Sequence, residues 1–131
     1  MVLANILQKG FSIKVYDLKS TGEFPGVDFV DLNNVLKEKV IFIAVPIRHF
    51  KKVISDISSQ ISVGTTIIDV CSVKNHPVKI IEKYLPENVG IIATHPMFGP
   101  DSFMSNNRPK MMMNDTRDLH NQFSFWRQYF N

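Results

Sequence analysis

The chain has 131 residues, 44% of them hydrophobic, enough apolar material for one core and not for two. Its 15 basic and 12 acidic residues give a net charge of +3 without any Lys/Arg run, so nothing in the sequence supports nucleic-acid binding. A single cysteine, Cys71, excludes an internal disulfide, no apolar stretch approaches the ~18 residues of a membrane span, and no signal peptide is recognisable; a soluble, cytoplasmic protein is expected.

In chain order, the first periodic segment is FSIKVYD (11–17), whose alternation predicts a strand. TGEFPGVDFVDLNN, rich in Gly, Pro and Asp, reads as loop leading into a short helix near 32–39. VIFIAV (40–45) is a continuous apolar, β-branched run, the pattern of a strand buried on both faces. Phe50, Val53, Ile54, Ile57 and Ile61 then fall at i, i+3, i+4, i+7 and i+11, one face of a helix. TIIDV (66–70) is a further buried strand, and Val78, Ile81 and Leu85 make a shorter helical stripe after Pro77. VGIIAT (89–94) is the next strand, after which PMFGP should end regular structure, because Pro96 and Pro100 lack N–H donors. SNNRP (105–109) reads as loop, KMMMN (110–114) as an edge strand, and Leu119, Phe123, Trp126 and Phe130 as the apolar stripe of a last helix. Strand–helix–strand alternation with connections of this length predicts an α/β fold with a doubly wound parallel sheet and right-handed crossovers.

Such a sheet gathers the carboxyl ends of its strands on one edge, where ligands of open α/β sheets bind. Those ends are Asp17, Val45 with Pro46, Cys71 with Ser72, and Thr94 with His95. Each has a plain structural reading: Asp17 as a turn former, Pro46 as a strand terminator, Ser72 as part of a cap before the next helix. Asp17 equally suits the acid that accepts hydrogen bonds from adenosine ribose hydroxyls. His95 stands apart, because rigid strand precedes it and an irregular loop follows, the usual setting of a positioned acid or base. His49, His76 and His120 lie in polar or helix-start settings and read as solvated. No HExxH or CxxC spacing supports a metal site, and Ser72 has no G-x-S-x-G elbow, the glycines being at 10, 22, 26, 64, 90 and 99.

Two blocks, DVCSVKN (69–75) and THPMFGPDS (94–102), resemble the prephenate and arogenate dehydrogenases of tyrosine biosynthesis. VIFIAVPI is shared more loosely with related NAD(P)-dependent dehydrogenases; a β-hydroxyacid-type or pyrroline-carboxylate-type reductase would explain it but not HPMFGP. The resemblance implies oxidative decarboxylation of prephenate or arogenate with hydride transfer to a nicotinamide. His95 would accept from the ring hydroxyl, Ser72 would orient that imidazole against the nicotinamide, and Val45 and Pro46 would line the cofactor site. Asp17 would take the ribose hydroxyls, favouring NAD over NADP. Against the family pattern, MVLANILQKG looks like the latter part of the helix that follows a G-x-G-x-x-G turn, and that turn and its strand are not in the sequence. Residues 1–131 are thus expected to form a partial NAD(P)-binding Rossmann-like domain without the helical dimerisation domain. Phe103 stands where the family usually has glycine. The expectation that follows is weak or lost NAD binding by the chain alone, and a homo-oligomer formed through an exposed sheet edge. The competing expectation is a non-catalytic, truncated remnant that persists as an oligomer or on a partner.

Overall fold

A computed structural model of the chain describes residues 2–19, 22–72, 75–99 and 110–131. Its elements are α1 (Val2–Leu7), β1 (Ile13–Val15), β2 (Val27–Phe29), α2 (Leu32–Val35), β3 (Val40–Ile43), α3 (Ile47–Ile57) with a 3-10 turn at Ser58–Gln60, β4 (Thr66–Asp69), α4 (Asn75–Tyr84), β5 (Gly90–Pro96), β6 (Met111–Arg117) and α5 (Gln122–Phe130). Strands β3, β4 and β5 are parallel neighbours, and β6 closes that sheet antiparallel to β5. β1 and β2 form a separate parallel pair.

The pleat assigns the apolar runs to two faces. Ile41, Ile67 and Ile91 are cross-strand neighbours, and all three belong to a core shared with Phe50, Ile54 and Ile57 of α3 and Ile80 and Ile81 of α4. One residue along, Phe42, Ile68 and Ile92 are neighbours on the opposite face, packed with Ile6 and Leu7 of α1 and Trp126 and Phe130 of α5. Successive side chains of a strand alternate faces, so a continuous apolar run is what a sheet covered on both sides requires. Among the described residues no helix is long and apolar enough to cross a membrane.

Five features depart from the sequence reading. The sheet is mixed rather than all parallel, because β6 runs antiparallel. Val27–Phe29 is a strand inside the segment read as loop; three residues are too few to display a period. β5 continues through His95 and Pro96, whose partners are Met112 and Met111 of β6, and the ladder extends to the Met97 N–H donating to Lys110 O at 2.9 Å. Proline removes a donor but leaves its carbonyl to accept, so one side of a strand can still pair. The last helix begins at Gln122, after Asn121 in the left-handed region at φ 53°, and leaves Leu119 outside it, 47% exposed. The first N–H groups of α5, those of Gln122 and Phe123, donate to the Asp118 carboxylate at 2.7 and 3.2 Å. Finally, the sheet is divided: among the described residues no hydrogen-bonded ladder joins β1 to β3. The loop expected at 105–109 and Phe103 lie outside the described residues.

Side chains connect the two sheets. Trp126 has Phe11, which leads into β1, at a ring-centroid distance of 5.2 Å, and Phe42 of β3 also at 5.2 Å. Lys14 of β1 and Glu38, just before β3, form an ion pair at 2.6 Å.

Candidate active site at the carboxyl edge of the sheet

The strand ends converge because three of the strands are parallel and in register. Ile43, Asp69 and Ala93 are cross-strand neighbours, so Val45 with Pro46 and Ser72 leave the sheet along the edge toward which Thr94 and His95, still paired with β6, carry β5 on. Hydrogen bonds tie these exits together. The Val70 N–H donates to Ile43 O at 3.3 Å, continuing the β3–β4 ladder beyond the strand. The Cys71 N–H donates to Asp69 Oδ1 at 2.8 Å, a local turn in which the carboxylate substitutes for a backbone acceptor. The Cys71 thiol lies 4.0 Å from Val45 O. The Thr94 hydroxyl donates to Asp69 O at 2.7 Å, linking β5 to β4 immediately before His95.

His95 is half-buried, and its Nδ1 is buried with no hydrogen-bond partner among the described residues. Leaving a buried polar atom unpaired costs about 1–3 kcal/mol. Ser72 is exposed on the exit from β4. Asp17 is exposed beyond β1, and its Oδ1 accepts from the Lys19 N–H at 2.8 Å, which is its turn-forming role. A carboxylate has further lone pairs on two oxygens, so that bond does not exhaust its capacity.

Of the other histidines, His49 and His76 are exposed as expected, His49 Nε2 accepting from Arg48 Nε at 3.0 Å. His120 is not solvated: it is half-buried, its Nε2 is buried without a partner, and its ring packs beside Gly90. It lies at the opposite end of β5 from His95, where the glycine leaves room for it.

The sequence reading missed an apolar rim. Tyr16 and Leu18 beyond β1, Ile47 at the start of α3, Met97 beyond β5 and Met112 of β6 are all exposed. Each lies within a few residues of a strand end on the carboxyl edge, or on β6 opposite His95. Single exposed apolar residues are ordinary, but here several follow the carboxyl ends of strands. The signal in the sequence was an apolar residue just past a strand end, which a period search does not weigh.

Comparisons with known proteins bear on the family and the fold. The sequence profile described as prephenate dehydrogenase, nucleotide-binding domain, matches residues 23–112. The chain is 35% identical over 79 residues to a protein of Methanocaldococcus jannaschii named "Probable arogenate/prephenate dehydrogenase", covering 59% of this chain and 18% of that protein. It is 36% identical over 77 residues to arogenate dehydrogenase 1, chloroplastic, of Arabidopsis thaliana, covering 56% of this chain and 12% of that one. The chain therefore spans less than a fifth of the length of these curated relatives. Among solved structures, prephenate dehydrogenase from Aquifex aeolicus in complex with hydroxyphenyl propionate and NAD+ superposes with a TM-score of 0.71 at 17% identity, over 98% of this chain and 51% of that one. Synechocystis arogenate dehydrogenase gives a TM-score of 0.61 at 19% identity, over 79% and 39% of the two chains. At these identities the structures speak for the fold, which is that of Rossmann-like dehydrogenases, and the profile speaks for the family. With the profile matching well over half its residues, the chain belongs to the prephenate dehydrogenase family, through that family's nucleotide-binding domain.

Proposed function

We propose that this chain supplies the nucleotide side and the proton acceptor of a site that oxidatively decarboxylates prephenate or arogenate, with NAD as the hydride acceptor. The observation that carries the reading is His95: an imidazole at the carboxyl end of a buried strand, its Nδ1 buried and unpartnered among the described residues. The residues present fit NAD in their donor chemistry, with an exposed carboxylate at Asp17 for ribose hydroxyls, exits from β3 and β4 at Val45, Pro46 and Ser72, and an apolar rim for the rings. The acid at Asp17 also repels a 2′-phosphate, which favours NAD over NADP. NAD held there would supply a hydride acceptor for the ring carbon that carries the hydroxyl.

Positive charge grows on that carbon as the hydride leaves. His95, accepting a hydrogen bond or proton from the ring hydroxyl, stabilises the charge, and loss of the carboxylate as carbon dioxide returns the electron pair that makes the ring aromatic. Ser72 orients the imidazole.

Two measurements test this. Titration with NAD followed by amide NMR should perturb Asp17, Val45, Ser72 and His95 together; perturbation confined to other surfaces would refute the cofactor assignment. Reduction of NAD by prephenate or by arogenate, followed by absorbance, should vanish in His95→Asn; turnover that survives the substitution would remove His95 from the mechanism.

A second reading is favoured by the divided sheet. β1 is paired only with β2 and β3 only with β4 among the described residues, so each has an edge able to pair with another chain. On this reading the chain is a homo-oligomer through that edge, with or without activity. Sedimentation velocity should show a dimer or larger species; a monomer across the accessible concentration range would rule it out.

A further inference from the structure

The carboxylate of Asp69 is fully buried, as is the hydroxyl of Thr94, and neither takes part in the chemistry above. We propose that Asp69 and Thr94 are the positioning pair of the site, Asp69 shaping the turn that carries Ser72 and Thr94 locking that turn to the strand residue directly before His95. The proposal rests on the roles given to Ser72 and His95.

One residue meets both arms. Through its side chain, Asp69 accepts from the Cys71 N–H at 2.8 Å, which bends the chain away from β4 and brings Ser72 out at the edge. Through its main-chain oxygen it accepts from the Thr94 hydroxyl at 2.7 Å. Asp69 stands opposite Ala93 in the β4–β5 ladder, so the Thr94 hydroxyl reaches across to the neighbouring strand. The separation between the exits of Ser72 and His95 is thereby held by side-chain bonds as well as by the ladder.

Packing alone does not call for these residue types. The rest of β4 and β5 at this level is isoleucine and alanine, and a valine at 94 would fill the same volume without needing a partner. A carboxylate with no exposure is a poor core residue unless its bonds do something an apolar side chain cannot. What these bonds do is connect the turn before one proposed site residue to the strand before the other.

Thr94→Val removes the hydroxyl and keeps the shape, Thr94→Ser restores the hydroxyl, and Ile67→Val is a control in β4, the strand of Asp69, without a polar side-chain bond. Two readouts are taken: kcat and KM for NAD reduction with prephenate and with arogenate, and the His95 imidazole carbon–proton NMR signals. Thr94→Val is expected to lower kcat about 10- to 100-fold with KM changed less than about threefold, and to shift or broaden the His95 signals. Thr94→Ser and Ile67→Val should leave both readouts close to the parent. Asp69→Ala should act as Thr94→Val does and move the Ser72 amide as well; the isosteric Thr94→Val decides the matter if Asp69→Ala fails to fold. Unchanged kcat and unchanged His95 signals in Thr94→Val would overturn the proposal, as would an equal effect from Ile67→Val. If the parent reduces no NAD, the proposed function falls, and the imidazole signals decide positioning by themselves. A response to Thr94→Val that Thr94→Ser reverses supports the pair, and no response overturns it.

Discussion

Replacing Trp126 by alanine should loosen the attachment of the β1–β2 pair to the rest of the molecule, and the structure permits a magnitude. The indole is 4% exposed and touches rings from three directions: Phe11 on the β1 side and Phe42 on β3, both at 5.2 Å, and Phe130 of its own helix at 6.0 Å. An aromatic side chain of this size buries about 150–250 Å², which at ~25 cal/mol per Å² amounts to roughly 4–6 kcal/mol. Truncation to alanine typically costs about 3–5 kcal/mol, so about 4 kcal/mol is expected here. The other named tie between the sheets, Lys14 with Glu38, has both side chains more than two-fifths exposed, and such pairs contribute at most about 1 kcal/mol. The aromatic contact therefore dominates. Urea unfolding followed by circular dichroism gives the total loss, and native-state hydrogen exchange at Ile13 and Val15 locates it. Trp126→Phe should cost about 1 kcal/mol or less, because the indole N–H is buried with no partner among the described residues and its removal offsets part of the lost area. A loss under about 1 kcal/mol in Trp126→Ala, unaltered exchange in β1, or a larger effect from Lys14→Ala would refute the reasoning.

A methyl group added in Gly90→Ala would lie 2.7 Å from Thr66 Oγ1 and 3.4 Å from His120 Cδ2, both held in packed surroundings, so about 1–3 kcal/mol of destabilisation is expected. In a Thr66→Ala background that cost should shrink, and a thermal-denaturation cycle with strictly additive effects would contradict the clash. Stability should fall at alkaline pH. Burial raises the Tyr129 phenol above its usual value, so above about pH 10 the unfolded chain loses this proton while the folded chain retains it. Lys14, raised chiefly by its hydrogen bond to Glu38, acts with the same sign: the folded state binds its proton more tightly, and that stabilisation is lost as pH rises through the folded value. Denaturant titrations over this range should show a shallower decline in Tyr129→Phe, and an identical slope would exclude the assignment. Asp118→Ala removes the acceptor of the Gln122 and Phe123 N–H groups and should cost about 1 kcal/mol, with fraying confined to the start of α5 in hydrogen exchange. Protection there equal to the parent would show that the carboxylate does not cap the helix.

The parts legible in the sequence were those in which a period or a motif carries the physics. VIFIAV, TIIDV and VGIIAT announce buried strands because a sheet covered on both faces leaves no solvent side for polar residues, and the stripe from Phe50 to Ile57 announces the helix that covers one of those faces. Parallel order then brings Val45 with Pro46, Ser72 and His95 toward one edge without any distance being known, whereas Asp17 follows β1, which among the described residues lies outside that sheet. His120 was misread because its polar neighbours along the chain say nothing of Gly90, 30 residues earlier, whose missing side chain makes the space it occupies.

Local composition and periodicity thus determined the buried strands β3, β4 and β5 and the helices that cover them, since burial on one or two faces writes itself into neighbouring residues. Tertiary structure alone decided the rest. The antiparallel β6 carries β5 on through His95 and Pro96, Trp126 spans the division between the sheets, and Asp69 ties Thr94 to the turn before Ser72. Each of these depends on groups far apart in the chain meeting in space, and a single polar atom finding its partner leaves no period to read.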